Sequence, residues 1–133
     1  MPANKPDSKK LYIIEDDPDV ACVLEMLAKL EGFQAVHFST CDEALEALRT
    51  EETIPCMILA DYRVSGLAVE EFAEQVRDQP THLVLVSAVT GVAEKAHELG
   101  ISHWLKKPFD VDDFVALLHK LKLRCESNST TDR

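Results

Sequence analysis

Five times along 133 residues, a short strand-like stretch gives way to one with helical spacing, and three of the strand-like stretches are plain apolar runs that break off at a polar or charged residue. Residues 11–14 are continuously apolar and stop at Glu15-Asp16-Asp17-Pro18. A run without apolar/polar alternation fits a strand buried on both faces. Pro18 suits the first turn of a helix, where its missing N–H costs nothing. Val20, Val23, Leu24 and Leu27 then recur at the spacing of one helical face, and Gly32 ends it. Residues 33–38 read as a second strand. Ser39 or Thr40 caps the next helix, with Asp42 or Glu43 behind it and Ala44, Leu45 and Leu48 facing inward.

Residues 56–60 form the third run and stop at Asp61. After a loop over 62–67, Val69, Phe72, Ala73 and Val76 predict a helix that Pro80 closes. Residues 83–86 stop at Ser87. Thr90 or Gly91 opens a short helix carrying Val92, Ala96 and Leu99. Residues 102–105 stop at Lys106-Lys107-Pro108, and Asp110 caps a last helix with Phe114, Leu117, Leu118 and Leu121 on its inner face. Alternation of this kind predicts an α/β fold: a doubly wound, parallel, five-stranded sheet with helices on both faces. The expected organisation is a disordered segment over 1–9, one domain over 10–123 and a polar tail over 124–133.

Charge narrows the function. Twenty-four acidic residues against 14 basic ones leave a formal net charge of −10. Direct nucleic-acid binding, which needs a basic stripe, is not expected, and neither is an anionic membrane surface. No apolar run approaches the roughly 18 residues of a membrane span, and the polar start of the chain has no secretory h-region. Cys22, Cys41, Cys56 and Cys125 show no C-x-x-C or zinc spacing, so they read as reduced, structural thiols in a cytoplasmic protein. His37, His82, His97, His103 and His119 show no ligand spacing either.

In an open parallel sheet the working site lies beyond the carboxyl ends of the strands. Those ends carry Glu15, Asp16, Asp17, Asp61, Ser87 and Lys107. Two carboxylates about 4 Å apart repel by roughly 4 kcal/mol at an effective dielectric of about 20. Either a carboxyl group there holds its proton or a cation sits among them. Oxygen donors without Cys or His favour Mg²⁺. A hydroxyl and a lysine beside such a metal suit a tetrahedral phosphoryl group. Asp17 reads instead as a charge at the helix N-terminus.

These residues, scattered over four strand ends, resemble the receiver domain of two-component response regulators across about residues 10–122. Glu15 and Asp16 match the family's acidic pair, Asp61 the phosphoacceptor, Ser87 the hydroxyl residue, and Lys107-Pro108-Phe109 the lysine motif. Trp104 falls at the switch aromatic. The resemblance implies a CheY-like, flavodoxin-like fold with strand order 2-1-3-4-5. It also implies phosphoryl transfer to Asp61 from a phosphohistidine of a sensor kinase or histidine phosphotransfer protein. Mg²⁺ would be held by Glu15, Asp16, Asp61 and the backbone carbonyl of Arg63, with Lys107 and Ser87 on the phosphoryl group. Ser87 and Trp104 would switch an output face of the fourth helix, fifth strand and fifth helix toward a downstream protein or linked effector. Such a domain is a signalling module that catalyses only its own phosphorylation and dephosphorylation.

Some positions depart from the family pattern. The loop after Asp61 has Ser65 and Val69 where proline and glycine are usual, with Gly66 displaced. Only 26 positions separate Asp61 from Ser87 and 20 separate Ser87 from Lys107, which predicts a shortened fourth-helix region. The bulk of Trp104 predicts a restricted inward rotation. Arg63 and Val89 flank the expected path of a hydrolytic water, with Arg63 able to pair with a phosphoryl oxygen or Glu15, so an altered phosphate lifetime is expected. The alternative is a receiver-fold adaptor working without phosphorylation. A haloacid-dehalogenase phosphatase would need an aspartate at Arg63. A flavodoxin would not place Glu15-Asp16-Asp17 against a flavin phosphate, and no P-loop is present.

Overall fold

A computed structural model describes residues 5–64, 66–88 and 91–131. Its elements alternate without exception: β1 (Lys5–Ile14), α1 (Pro18–Leu30), β2 (Gln34–Phe38), α2 (Cys41–Thr50), β3 (Thr53–Asp61), α3 (Val69–Val76), β4 (His82–Ser87), α4 (Val92–Glu98), β5 (His103–Lys106) and α5 (Val111–Thr131). The five strands form one sheet, ordered β2-β1-β3-β4-β5, and every neighbouring pair is parallel. Each parallel connection must cross the sheet, and the intervening helix makes that crossing.

The sheet separates two cores. Tyr12, Ile14, Ile58, Ala60 and Leu85 pack on one face with Cys41, Ala44, Leu48, Phe72 and Ala96. Leu11, Ile13, Met57, Leu59 and Val84 pack on the other with Leu24, Ala28, Phe114, Leu118 and Leu121. Strand residues of alternate parity therefore feed opposite layers, and burial on both sides explains why residues 11–14, 56–60 and 83–86 read as unbroken apolar runs.

Local signals end the helices where expected. Asp17 caps α1, its side chain accepting from the Asp19 and Val20 N–H groups. Thr40 rather than Ser39 caps α2, accepting from the Glu43 N–H. Such caps contribute about 1 kcal/mol each. Asp110 and Asp113 exchange backbone-to-side-chain bonds of 3.4 and 2.9 Å at the start of α5, a reciprocal cap. Gly91, at φ 86°, precedes α4, which has only seven residues.

The structure corrects four expectations. Residues 5–9 are not disordered: they extend β1, with Lys5, Pro6 and Asp7 paired to Thr53, Ile54 and Pro55. Their polar side chains hide the strand because only β3 pairs them, and a register shift separates this stretch from Leu11. Residues 124–131 are not a tail but the last turns of α5. The buried face of α1 is Ala21, Leu24 and Ala28, while Val23, Met26 and Leu30 are exposed. Small alanines let the helix approach the sheet closely; Val20 and Leu27 pack half-buried against the same core as Leu24, and of the expected face only Val23 points away. Finally, Cys56 and Cys125 are joined by a disulfide with a Cα separation of 6.0 Å. Sixty-nine residues separate them in the chain, so no local motif announces a pairing that the packing of α5 against the sheet creates. Cys22 and Cys41 are free thiols, the first exposed and the second buried. Among the described residues, no helix is long and apolar enough to cross a membrane.

Candidate functional site

Glu15 directly follows β1, Asp61 and Ser87 end β3 and β4, and Lys107 directly follows β5. The order β1-β3-β4-β5 sets these residues side by side along one edge of the sheet. Hydrogen bonds hold them to that edge. The Tyr62 N–H donates to Val86 O at 2.8 Å, the Lys107 N–H to Ser87 O at 2.7 Å, and the Glu15 N–H to Phe38 O at 3.0 Å. The Lys107-Pro108 peptide is cis.

Oxygens of Glu15, Asp16 and Asp61 lie within 4.8 Å of one another. Glu15 and Asp61 are buried and Asp16 is exposed, so the cluster opens to solvent on one side. The Lys107 ammonium donates to Asp61 Oδ2 at 2.7 Å and to Glu15 Oε1 at 3.2 Å. The Arg63 N–H donates to Asp61 Oδ1 at 3.0 Å, and the Asp17 N–H to Glu15 Oε2 at 3.3 Å.

The two buried acids are driven apart. Burial and the neighbouring Asp61 charge raise the Glu15 pKa, against Lys107 and the Asp17 N–H. Burial also pushes Asp61 up, but the Arg63 N–H and the Lys107 ammonium outweigh it and hold Asp61 below the usual range. Lys107 in turn loses solvent by burial yet is raised by Asp61 and Glu15. Asp61 is thus the stronger acid of the pair.

The oxygen set fits a hard divalent ion. Mg²⁺ binds oxygen at about 2.0–2.1 Å, so opposite ligands stand a little over 4 Å apart, a spacing the three carboxylates already approach. Arg63 is exposed. Glu15 pairs with Lys107, and no ion pair joins Glu15 to Arg63 among the described residues. Val89 and Ser65 lie outside the described residues.

Ser87 is 2% exposed at the end of β4. Trp104 stands on β5 opposite Leu85, 44% exposed, beside a cavity lined by Ala93, His97 and Ile101. The loop after Asp61 is tied to α2, because the Leu67 N–H donates to Asp42 Oδ2 at 3.1 Å. Gly66 there has φ 84°, and a Cβ on it would meet that same oxygen at 2.5 Å. Two partners of the site were not legible in the sequence. His37 on β2 donates from Nε2 to Glu15 O at 2.6 Å, fixing the backbone of the acidic turn. Lys95 on α4 stands 5.8 Å above the Tyr62 ring, whose hydroxyl donates to Glu70 at 2.7 Å. An apolar neighbour pattern carries no trace of such cross-element contacts.

The chain matches known proteins in sequence and in fold. A family model described as "Response regulator receiver domain" matches residues 11–119. The DNA-binding transcriptional regulator NtrC of Klebsiella pneumoniae is 28% identical over 113 residues, which cover 82% of this chain and 24% of that protein. The transcriptional regulatory protein PrrA of Mycobacterium leprae is 30% identical over 130 residues, 93% of this chain and 54% of that one. The chain therefore spans about a quarter to a half of the length of these curated relatives. Among solved structures, a response regulator receiver protein from Burkholderia phymatum superposes with a TM-score of 0.78 at 22% identity, covering 89% of this chain and 95% of that one. The chemotaxis response regulator CheY4 of Vibrio cholerae does so with a TM-score of 0.74 at 19% identity, covering 84% and 97%.

Proposed function

This chain belongs to the response regulator receiver family, and from that premise we propose that it accepts a phosphoryl group on Asp61 from a phosphohistidine of a sensor kinase or histidine phosphotransfer protein. The observation that carries this reading is the single lysine bridging Asp61 and Glu15 beside exposed Asp16. The Arg63 N–H and the Lys107 ammonium favour the ionised form of Asp61, and exposed Asp16 stands beside it. An oxygen–phosphorus bond to Asp61 forms as the phosphorus–nitrogen bond of the donor breaks. The leaving imidazole keeps that bonding pair and takes up a proton.

Phosphoryl transfer of this type passes through a loose transition state, so positioning and charge neutralisation supply most of the catalysis. Lys107 neutralises charge on the incoming oxygens, and the Ser87 hydroxyl donates to one of them. Glu15, Asp16, Asp61 and the Arg63 carbonyl would hold Mg²⁺, which supplies further neutralisation of the equatorial oxygens. The bound phosphoryl carries close to two negative charges. Ser87 follows it, Trp104 turns inward, and the face built from α4, β5 and α5 changes its preference among partners. A downstream protein or a covalently linked effector reads that change as a population shift. The domain is a cytoplasmic signalling module and turns over no substrate but its own phosphoryl group.

The test is direct. With a small phosphodonor and Mg²⁺, intact mass should rise by one phosphoryl group, and Mg²⁺ removal or Asp61→Asn should abolish the gain. Labelling retained in Asp61→Asn would show that another residue is the acceptor.

A further inference from the structure

The amino ends of the strands carry a second cluster. Cys56 lies on β3, His82 opens β4 and Cys125 lies on α5. Their ligand atoms, two sulfurs and one imidazole nitrogen, all lie within 4.8 Å of one another. Cys56 precedes Asp61 by five residues of the same strand, which at about 3.3 Å per residue sets the two clusters roughly 16 Å apart. From this juxtaposition we propose that Cys56, Cys125 and His82 form a Zn²⁺ site when the Cys56–Cys125 disulfide is reduced, so that the far end of the sheet holds either a metal or a disulfide.

The chemistry of the donors selects the metal. Two thiolates and an imidazole are soft to borderline ligands, suited to Zn²⁺ and ill suited to the Mg²⁺ of the carboxylate cluster. Tetrahedral zinc takes sulfur at about 2.3 Å and nitrogen at about 2.0–2.1 Å, so its ligand atoms stand under 4 Å apart, within reach of the observed grouping. The three residues come from two adjacent strands and a helix packed on the sheet, elements that hold their positions without a metal. His103, the first residue of β5, is buried with its ring centroid 5.9 Å from that of His82 in an edge-on contact. A cavity of about 160 Å³ is lined by His82, His103 and Thr81, so one of the three ligands borders open space. The Thr81 hydroxyl is buried there with no hydrogen-bond partner among the described residues.

The two states exclude each other because the same sulfur electrons form the S–S bond or the metal bonds. A dithiol reductant supplies two electrons and two protons to the disulfide and leaves as its own cyclic disulfide. Zn²⁺ then displaces both thiol protons to solvent. Sequence spacing shows none of this, since 26 and 43 positions separate Cys56 from His82 and His82 from Cys125.

The test uses the full chain, reduced with dithiothreitol and desalted without oxygen, titrated with Co²⁺ in excess Mg²⁺ so that the carboxylate cluster is filled. One Co²⁺ per chain should give a thiolate-to-cobalt charge-transfer band and tetrahedral visible bands, and Zn²⁺ should bleach them. The oxidised chain should give neither. Cys56→Ser should lose the charge-transfer intensity, and His82→Gln should weaken binding at least tenfold while keeping a thiolate band. On the wild-type chain, Zn²⁺ should slow alkylation of Cys56 and Cys125 by mass mapping. No thiolate band in the reduced chain, an unchanged band in Cys56→Ser, or protection of Cys22 or Cys41 in their place would overturn the proposal.

Discussion

Lys107 and Asp61 meet at 2.7 Å across 46 residues of sequence, and the same ammonium reaches Glu15 at 3.2 Å. One cation thus serves two buried carboxyl groups, which makes the pairing asymmetric in a testable way. Lys107→Met leaves both carboxylates facing each other. Breaking a partly buried pair of this kind should cost about 2 kcal/mol at pH 7 without Mg²⁺. Urea denaturation should show that loss, and added Mg²⁺ should recover part of it because the ion takes over the neutralisation.

Asp16 separates metal binding from folding. It is exposed and forms no part of either core. Asp16→Asn should leave the unfolding free energy from urea denaturation within about 0.5 kcal/mol of wild type while weakening Mg²⁺ binding at least tenfold by calorimetry.

Trp104 is the only tryptophan, so its fluorescence reports one site. Its 44% exposure predicts ready quenching by acrylamide in the unmodified chain. A phosphoryl mimic should reduce that quenching by less than half if the bulk of the indole restricts its inward turn, as the sequence leads one to expect. A drop to the level of a fully buried tryptophan would show an unrestricted swing.

The two free thiols should differ sharply. Burial, with the adjacent Asp42 charge, pushes the Cys41 thiol up to about 12, whereas Cys22 is exposed. Iodoacetamide should label Cys22 in the native chain and Cys41 only on unfolding. The linkage has a definite sign. The unfolded thiol loses its proton from about pH 9, so above that pH the unfolded state binds fewer protons than the folded one. Stability should therefore fall between about pH 9 and 12. In Cys41→Ala that part of the alkaline slope should vanish.

Gly66 has both a positive φ and a near neighbour. Gly66→Ala should cost about 1–2 kcal/mol, since the left-handed backbone strains an L residue and its Cβ would press on Asp42. Asp42→Ala in the same chain should relieve the contact but not the backbone strain, so recovery should be partial in a double-mutant cycle.

What the sequence disclosed follows from what each feature depends on. Asp61, Ser87, Glu15 and Lys107 are legible because strand ends can be read from unbroken apolar runs, and the parallel order gathers those ends. The first residues of β1 escape because a strand paired on one side carries polar residues. Val23 misleads because the alanines of α1, not its larger side chains, allow close packing. The Cys56–Cys125 bridge and the His37 bond to Glu15 depend on contacts between distant segments. No periodicity encodes those.

The sheet order has a mechanical consequence. Asp61 terminates β3, the middle strand, which is braced by β1 and β4. Trp104 sits on β5, a four-residue rim strand held from one side only. Under the proposed switch the molecule resembles a bench vise: the jaw that must stay true is bolted to the centre of the plate, and the jaw that travels hangs from its margin. A load applied at the centre can then be taken up as displacement at the margin, without loosening the grip itself.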